Sequence, residues 1–170
     1  IDGHVVLEGQ GTALAGSLRL AGAKVAGEFC INDGVSIGPD AIGRSLDADT
    51  MSIAGDVIVQ GSRTTLVGSL RLAGARLRGM LVLRDGVSIG ADAEGWSIGA
   101  DGLQTRHDVI VRRGTTLAGS FRLFGGQIGG QLVVDEDVRV GADAAGRSVA
   151  CDGLSVIADV NVEGEGTVLV

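Results

Sequence analysis

Gly16-Ser17-Leu18-Arg19-Leu20-Ala21-Gly22, Gly68-Ser69-Leu70-Arg71-Leu72-Ala73-Gly74 and Gly119-Ser120-Phe121-Arg122-Leu123-Phe124-Gly125 lie on one another at offsets of 52 and then 51 residues. Self-similarity at a fixed period is the signature of a repeat array, in which each unit packs only against its neighbours. Working outward from these blocks, apolar-x-apolar triplets recur at a step close to one third of that offset. One series reads Leu18/Leu20, Val35/Ile37, Met51/Ile53, Leu70/Leu72, Val87/Ile89, Leu103/Thr105, Phe121/Leu123, Val138/Val140 and Leu154/Val156. Every middle residue is polar, the period-two pattern of a half-buried strand.

A second series, from Thr12/Leu14 through Phe29/Ile31, Leu46/Ala48, Thr64/Leu66 and Leu81/Leu83 to Thr167/Leu169, keeps the same step. A third is strong at Val5/Leu7, Val57/Val59, Val109/Val111 and Val160/Val162. It weakens at Ala23/Val25 and Ala75/Leu77 and dissolves in the small-residue segments 38–43, 90–95 and 141–146. Three series predict three faces. The expected fold is all-β, a parallel β-helix: a triangular solenoid of about ten coils with about 17 residues in each, packed as a one-dimensional array. It forms one domain over 1–170, and its three-coil super-repeat divides at 17–68, 69–119 and 120–170. At about 4.8 Å per coil the rod would be roughly 48 Å long. No segment keeps a helical apolar period for two turns, so helices are not expected. Asp-Gly at 33–34, 85–86, 101–102 and 152–153 reads as turn chemistry.

The composition agrees with a thin core. There are 30 Gly, one Pro and four aromatic residues, Phe29, Trp96, Phe121 and Phe124. Small aliphatic side chains suffice for layers that recur along an axis. The net charge is −7 and no basic stripe runs along the sequence, so neither nucleic acid nor an anionic membrane surface is an expected partner. No apolar run reaches the roughly 20 residues of a spanning helix, and no leader precedes the repeats. Cys30 and Cys151 do not make a disulfide framework; Cys30 is expected to face outward and Cys151 inward.

A solenoid normally ends in a cap, and the apolar pattern here runs from Val5 to Leu169 without one. Val5, Leu7 and Leu14 at one end, and Val160, Val162, Leu169 and Val170 at the other, are therefore candidate self-assembly residues. Stacking of a second copy would cover them. Val6, Ile58, Val82, Ile110 and Val133, outward by alternation, are candidate lateral contacts.

In segments 108–123 and 132–142 the chain resembles the bactofilins, bacterial polymer-forming β-helix proteins. The resemblance implies a right-handed triangular β-helix that polymerises end to end without nucleotide, in the cytoplasm. Gly-Ser-Leu-Arg-Leu-Ala-Gly also resembles repeats of large bacterial β-solenoid proteins of unassigned function. A signal peptide ahead of Ile1 would instead point to the cell surface or an extracellular fibre.

Catalytic readings find less support. Hexapeptide acyltransferases need a six-residue sub-period, which is missing. His4 and His107 are separated by about six expected coils, too far to share a metal. Asp40, Asp92 and Asp143 recur in Gly-x-Asp-Ala loops, and Asp49, Asp101 and Asp152 at the following corner. These could offer oxygen ligands to Ca²⁺; the simpler reading is that each carboxylate caps its own turn. Trp96 is placed in a loop. Arg19, Arg71, Arg122 and Arg139 are placed on one face without acidic companions, which weighs against a polysaccharide-cleaving β-helix. The expected function is a structural protein that stacks end to end into a scaffold filament, with no enzymatic activity and no cofactor. The alternatives are a surface or extracellular fibre subunit and a polysaccharide-binding or polysaccharide-cleaving β-helix.

Overall fold

Every strand pair is parallel, and each strand pairs with the strand four places further along the chain. The structure, a computed structural model, describes residues 1–170. Its strands are short, there is no helix, and the chain winds about six turns through four sheets. Sheet A has seven strands: Val5–Leu7, Phe29–Ile31, Val57–Gln60, Leu81–Arg84, Val109–Val111, Leu132–Val134 and Val160–Val162. Sheet B also has seven, from Ala13–Leu14 to Val168–Leu169. Sheets C and D have six each, from Leu18–Arg19 to Val149–Ala150 and from Lys24–Val25 to Ser155–Val156.

A parallel β-solenoid is thus what the alternation predicts, but the coil differs from the expected one. Successive partners in sheet A are Val5, Phe29, Val57, Leu81, Val109, Leu132 and Val160. A shorter turn, such as Val5 to Phe29, alternates with a longer one, such as Phe29 to Val57. The long repeat is therefore two turns of four strands, replacing the three shorter coils expected, and the cross-section has four faces in place of three. Nine triplet positions fall in each repeat by the sequence reading. Eight are strands, and the ninth, at 38–43, 90–95 and 141–146, is a loop inserted between sheets B and C on every second turn. Nine slots divide as three by three; eight divide as four by two. Six intervals of about 4.8 Å make sheet A about 29 Å tall, shorter than the expected rod.

The inward members of the triplets form a single core of 33 buried residues. Val35, Ile37, Leu70, Leu72, Val87, Ile89, Phe121 and Leu123 are all fully buried, as the alternation requires. Thr105, the one polar inward residue of its series, donates its hydroxyl to the His107 carbonyl at 2.7 Å, so its polar group is satisfied. At the base of two loops a buried serine is satisfied in a comparable way. Ser45 donates to the Ile37 carbonyl at 2.8 Å and accepts from the Gly68 N–H at 2.7 Å, and Ser97 bridges Ile89 and Gly119 likewise.

Corner geometry explains two kinds of glycine. A Cβ on Gly90 would run into the carbonyl oxygen of Val67 on the turn below, so only glycine lets the backbones approach. At Asp85-Gly86 both residues have positive φ, +61° and +80°, as the Asp-Gly turn reading anticipates.

Candidate functional site

The outward side of sheet A gathers residues that are far apart in sequence. Val6, Cys30, Ile58, Val82, Ile110, Val133 and Asn161 occupy one row, strand by strand. All five candidate lateral contacts therefore share one face. The stripe is one residue wide: Val6 is exposed, Ile58, Ile110 and Val133 are half-buried, and Val82 and Cys30 are nearly covered. Polar rows close around it. On one side Arg84 donates to Gln60 at 2.8 Å, and Arg112 pairs with Asp135 at 3.3 Å and Glu136 at 3.0 Å. On the other, His4, Asp56 and Asp108 accept the backbone N–H of Glu28, Met80 and Gln131 on the next turn.

At the two extremities the inward row loses its cover. Val57, Val59, Val109 and Val111 are fully buried, whereas their counterparts Val160 and Val162 are 56% and 44% exposed, and Leu169 is 44% exposed. Val170 and Leu14 are also exposed, and Val5 and Leu7 are partly buried against the core.

Sheet C carries an ion-pair ladder in place of the expected acid-free arginine face. Arg19, Asp47, Arg71, Gly99, Arg122 and Ala150 are stacked in register. Arg19 lies 3.5 Å from Asp47, Arg122 2.8 Å from Asp101, and Arg71 3.9 and 4.0 Å from Asp49 and Asp92. Arg71 is nearly buried, contrary to the outward solvated position read from alternation, and Arg139 belongs to sheet B. Trp96 opens the strand Trp96–Gly99, not a loop, with the Arg71 and Arg122 guanidiniums over its ring at 5.3 and 4.1 Å. The missing side chain at Gly99 leaves the space that the Arg71 guanidinium occupies.

The repeated loop carboxylates are engaged by their own turns. Asp40 accepts the N–H groups of Ile42 and Arg44, Asp92 those of Glu94 and Trp96, and Asp143 those of Ala145 and Arg147. The backbone N–H of Arg44 holds Asp40 below the usual carboxylate range. At Asp143 the backbone N–H of Arg147, followed by its guanidinium, does the same. Asp49 accepts the Ala73 N–H at 2.7 Å, Asp101 is engaged by Arg122, and Asp152 is exposed. The six carboxylates are not brought into a metal-binding cluster; no three His, Cys, Asp or Glu side chains converge anywhere. His4 and His107 precede strands four turns apart, about 19 Å and not the expected six coils.

No family model, curated protein or solved structure matches the chain.

One surface escaped the sequence reading altogether. The outward residues of sheet D form two rows, Lys24, Ser52, Arg76, Gln104, Gln127, Ser155 and, beside them, Ala26, Ala54, Arg78, Arg106, Gly129, Ile157. A trough of about 530 Å³ runs from Arg76 and Arg78 to Ser155 and Ile157 between them, and a second one continues it toward Lys24. The sequence displays no basic stripe because Lys24 lies two turns before the Arg76 and Arg78 pair and Arg106 one turn after it; winding brings them into line. Cys30, expected outward, does lie in the outward row of sheet A but is buried, and burial followed by the nearby Glu28 and Asp56 charges raises its thiol pKa. Burial, then Asp152, does so for the half-buried Cys151. No helix is long and apolar enough to cross a membrane.

Proposed function

We propose that this β-solenoid is a structural, self-associating element whose turns stack end to end with those of a second copy to build a scaffold. The observation that carries the reading is the internal repeat wound in one all-parallel register, so that each inner rung is covered by a rung of similar pattern. Val160, Val162 and Leu169 are exposed where their counterparts two turns earlier are buried, and the strand edges beyond them have unpaired backbone groups. A turn of the same pattern would cover both, and the internal repeat means that another copy of the chain offers that pattern. The resemblance to bactofilins supports the same reading, as does the all-parallel register, which presents one rung after another in the same sense. The apolar row on sheet A, from Val6 to Val133, supports side-by-side contacts between rods.

Sedimentation velocity and negative-stain electron microscopy of the chain at rising concentration test the proposal. End-to-end association gives rods whose length grows in multiples of the single rod, and Val160→Glu with Leu169→Glu shortens them to single units. Ile58→Lys with Ile110→Lys removes bundling and leaves rod length unchanged. A monodisperse monomer at the highest concentration overturns the proposal.

A further inference from the structure

None of the twelve outward positions of sheet D is acidic, and four are cations: Lys24, Arg76, Arg78 and Arg106. The chain as a whole carries −7, so without these four the remainder carries −11. Asp2 is the one carboxylate among the residues that line the two troughs. Seven arginines elsewhere have a carboxylate within 4.0 Å, whereas none of these four cations does. Arg44, Arg63 and Arg139 are also without one, but each stands apart from the others on a different part of the surface.

Pairing of Leu77 with Thr105 sets Arg78 beside Arg106 on adjacent strands, about 4.8 Å apart at the backbone. Like charges opposite one another weaken a ladder, so the pair lowers stability until an anion sits between the two guanidiniums. Neutral groups continue the line: Ser52 stands one turn before Arg76, and Gln104, Gln127 and Ser155 follow it one turn after another with amides and a hydroxyl.

We propose that this face binds a linear acidic polysaccharide, bearing carboxylate or sulfate groups, laid along the rod axis. Arg78 and Arg106 take one acidic group between them through their planar forks, Arg76 takes another, and the glutamines and serines take sugar hydroxyls. The form of the site selects this class. The trough follows successive strands of sheet D along the rod axis, so an extended polymer can meet one rung after another, and neither outward row of the sheet carries an acidic residue. No aromatic side chain lies on the face, and Trp96 is held between arginines on sheet C, so there is no platform on which nucleic-acid bases could stack. The proposal does not depend on self-association, since the trough lies on the side of each rod.

The test is fluorescence anisotropy of labelled oligogalacturonate and dextran sulfate with the full chain at low ionic strength, beside neutral dextran and an oligo-dT strand. Saturable binding of at least one acidic glycan is expected, with none of neutral dextran. The two acidic glycans distinguish carboxylate from sulfate recognition. Arg78→Gln with Arg106→Gln weakens binding by about tenfold or more, and Arg63→Gln with Arg139→Gln, equal in charge change, by less than about threefold. Both variants alter exposed side chains, and the first melts no lower than the parent because a repulsion is removed. Absence of saturable binding to either acidic glycan, equal loss in the two variants, or tighter binding of oligo-dT each overturns the proposal.

Discussion

The guanidinium of Arg122 lies over the indole of Trp96, 4.1 Å from the ring centroid, while its Nη2 reaches Asp101 at 2.8 Å. Arg71 approaches the same ring at 5.3 Å from the strand on the other side. Three successive strands of sheet C are therefore joined by side chains as well as by their backbone ladder. Trp96→Ala is expected to lower unfolding free energy by about 2 kcal/mol, and Arg122→Lys, which keeps the charge but loses the planar stack, by about 1 kcal/mol. Denaturant unfolding followed by circular dichroism measures both. A change below about 0.3 kcal/mol for Trp96→Ala, under the range of even exposed cation–π pairs, would show that the stack adds nothing to stability.

Close approach of backbones at the corner below the loop makes Gly90 intolerant of any side chain. Gly90→Ala forces a Cβ against the Val67 carbonyl, which cannot swing aside, and should cost about 3 kcal/mol. Gly16→Ala meets nothing within 4 Å and should be neutral or stabilise by about 0.5 kcal/mol through the unfolded chain. Equal melting temperatures for the two variants would contradict the corner geometry.

Asp40 and Asp143 make stability depend on acid. Their carboxyls are held below the usual range in the folded state, so the unfolded chain binds protons first as pH falls. The stabilisation they contribute is full above the unfolded value of about 3.9 and is lost as pH drops through the lower folded value. Melting temperature measured from pH 7 down to strong acid should fall steeply at the acid end, and Asp40→Asn with Asp143→Asn should flatten that fall. An unchanged acid limb would show that these caps contribute nothing.

Cys30 and Cys151 should react slowly. Burial is the first cause of the raised pKa of each thiol, so at pH 7 little thiolate is present and little of it is accessible. Labelling by iodoacetamide at pH 7 is expected to be at least about tenfold slower in the folded chain than in denaturant. Comparable rates would place Cys30 on an open surface.

An inward charge tests the stacked core directly. Leu72, fully buried in the middle of the rod, should not tolerate Asp, at a cost of about 4 kcal/mol. The same change at the partly buried Leu7 should cost less than half as much, because only one neighbouring turn covers it. Equal losses would argue against nearest-neighbour stability.

Which side chains face inward was legible from the residues alone, because alternation is a local property of an extended backbone. Val35/Ile37 or Phe121/Leu123 need no partner to declare their inner side. The long repeat was legible for the same reason, since Gly16–Gly22 and Gly68–Gly74 can be compared without knowing where either lies. What local pattern does not carry is which strand stacks on which. The step from Phe29 to Leu46, read as one coil, in fact skips from sheet A to sheet C, passing a strand of sheet B and the inserted loop. Strand pairing joins residues a whole turn apart in the chain, and only the closed ladder of backbone hydrogen bonds selects it. The surfaces depend on that choice. With three faces the lateral candidates would not have shared one row, and the cations of sheet D would not have met. Composition and alternation therefore determined a parallel solenoid with a thin aliphatic core. The tertiary winding decided its four sides, the Trp96 stack, and the line of unpaired arginines, because each is a neighbourhood created by register and not by sequence order.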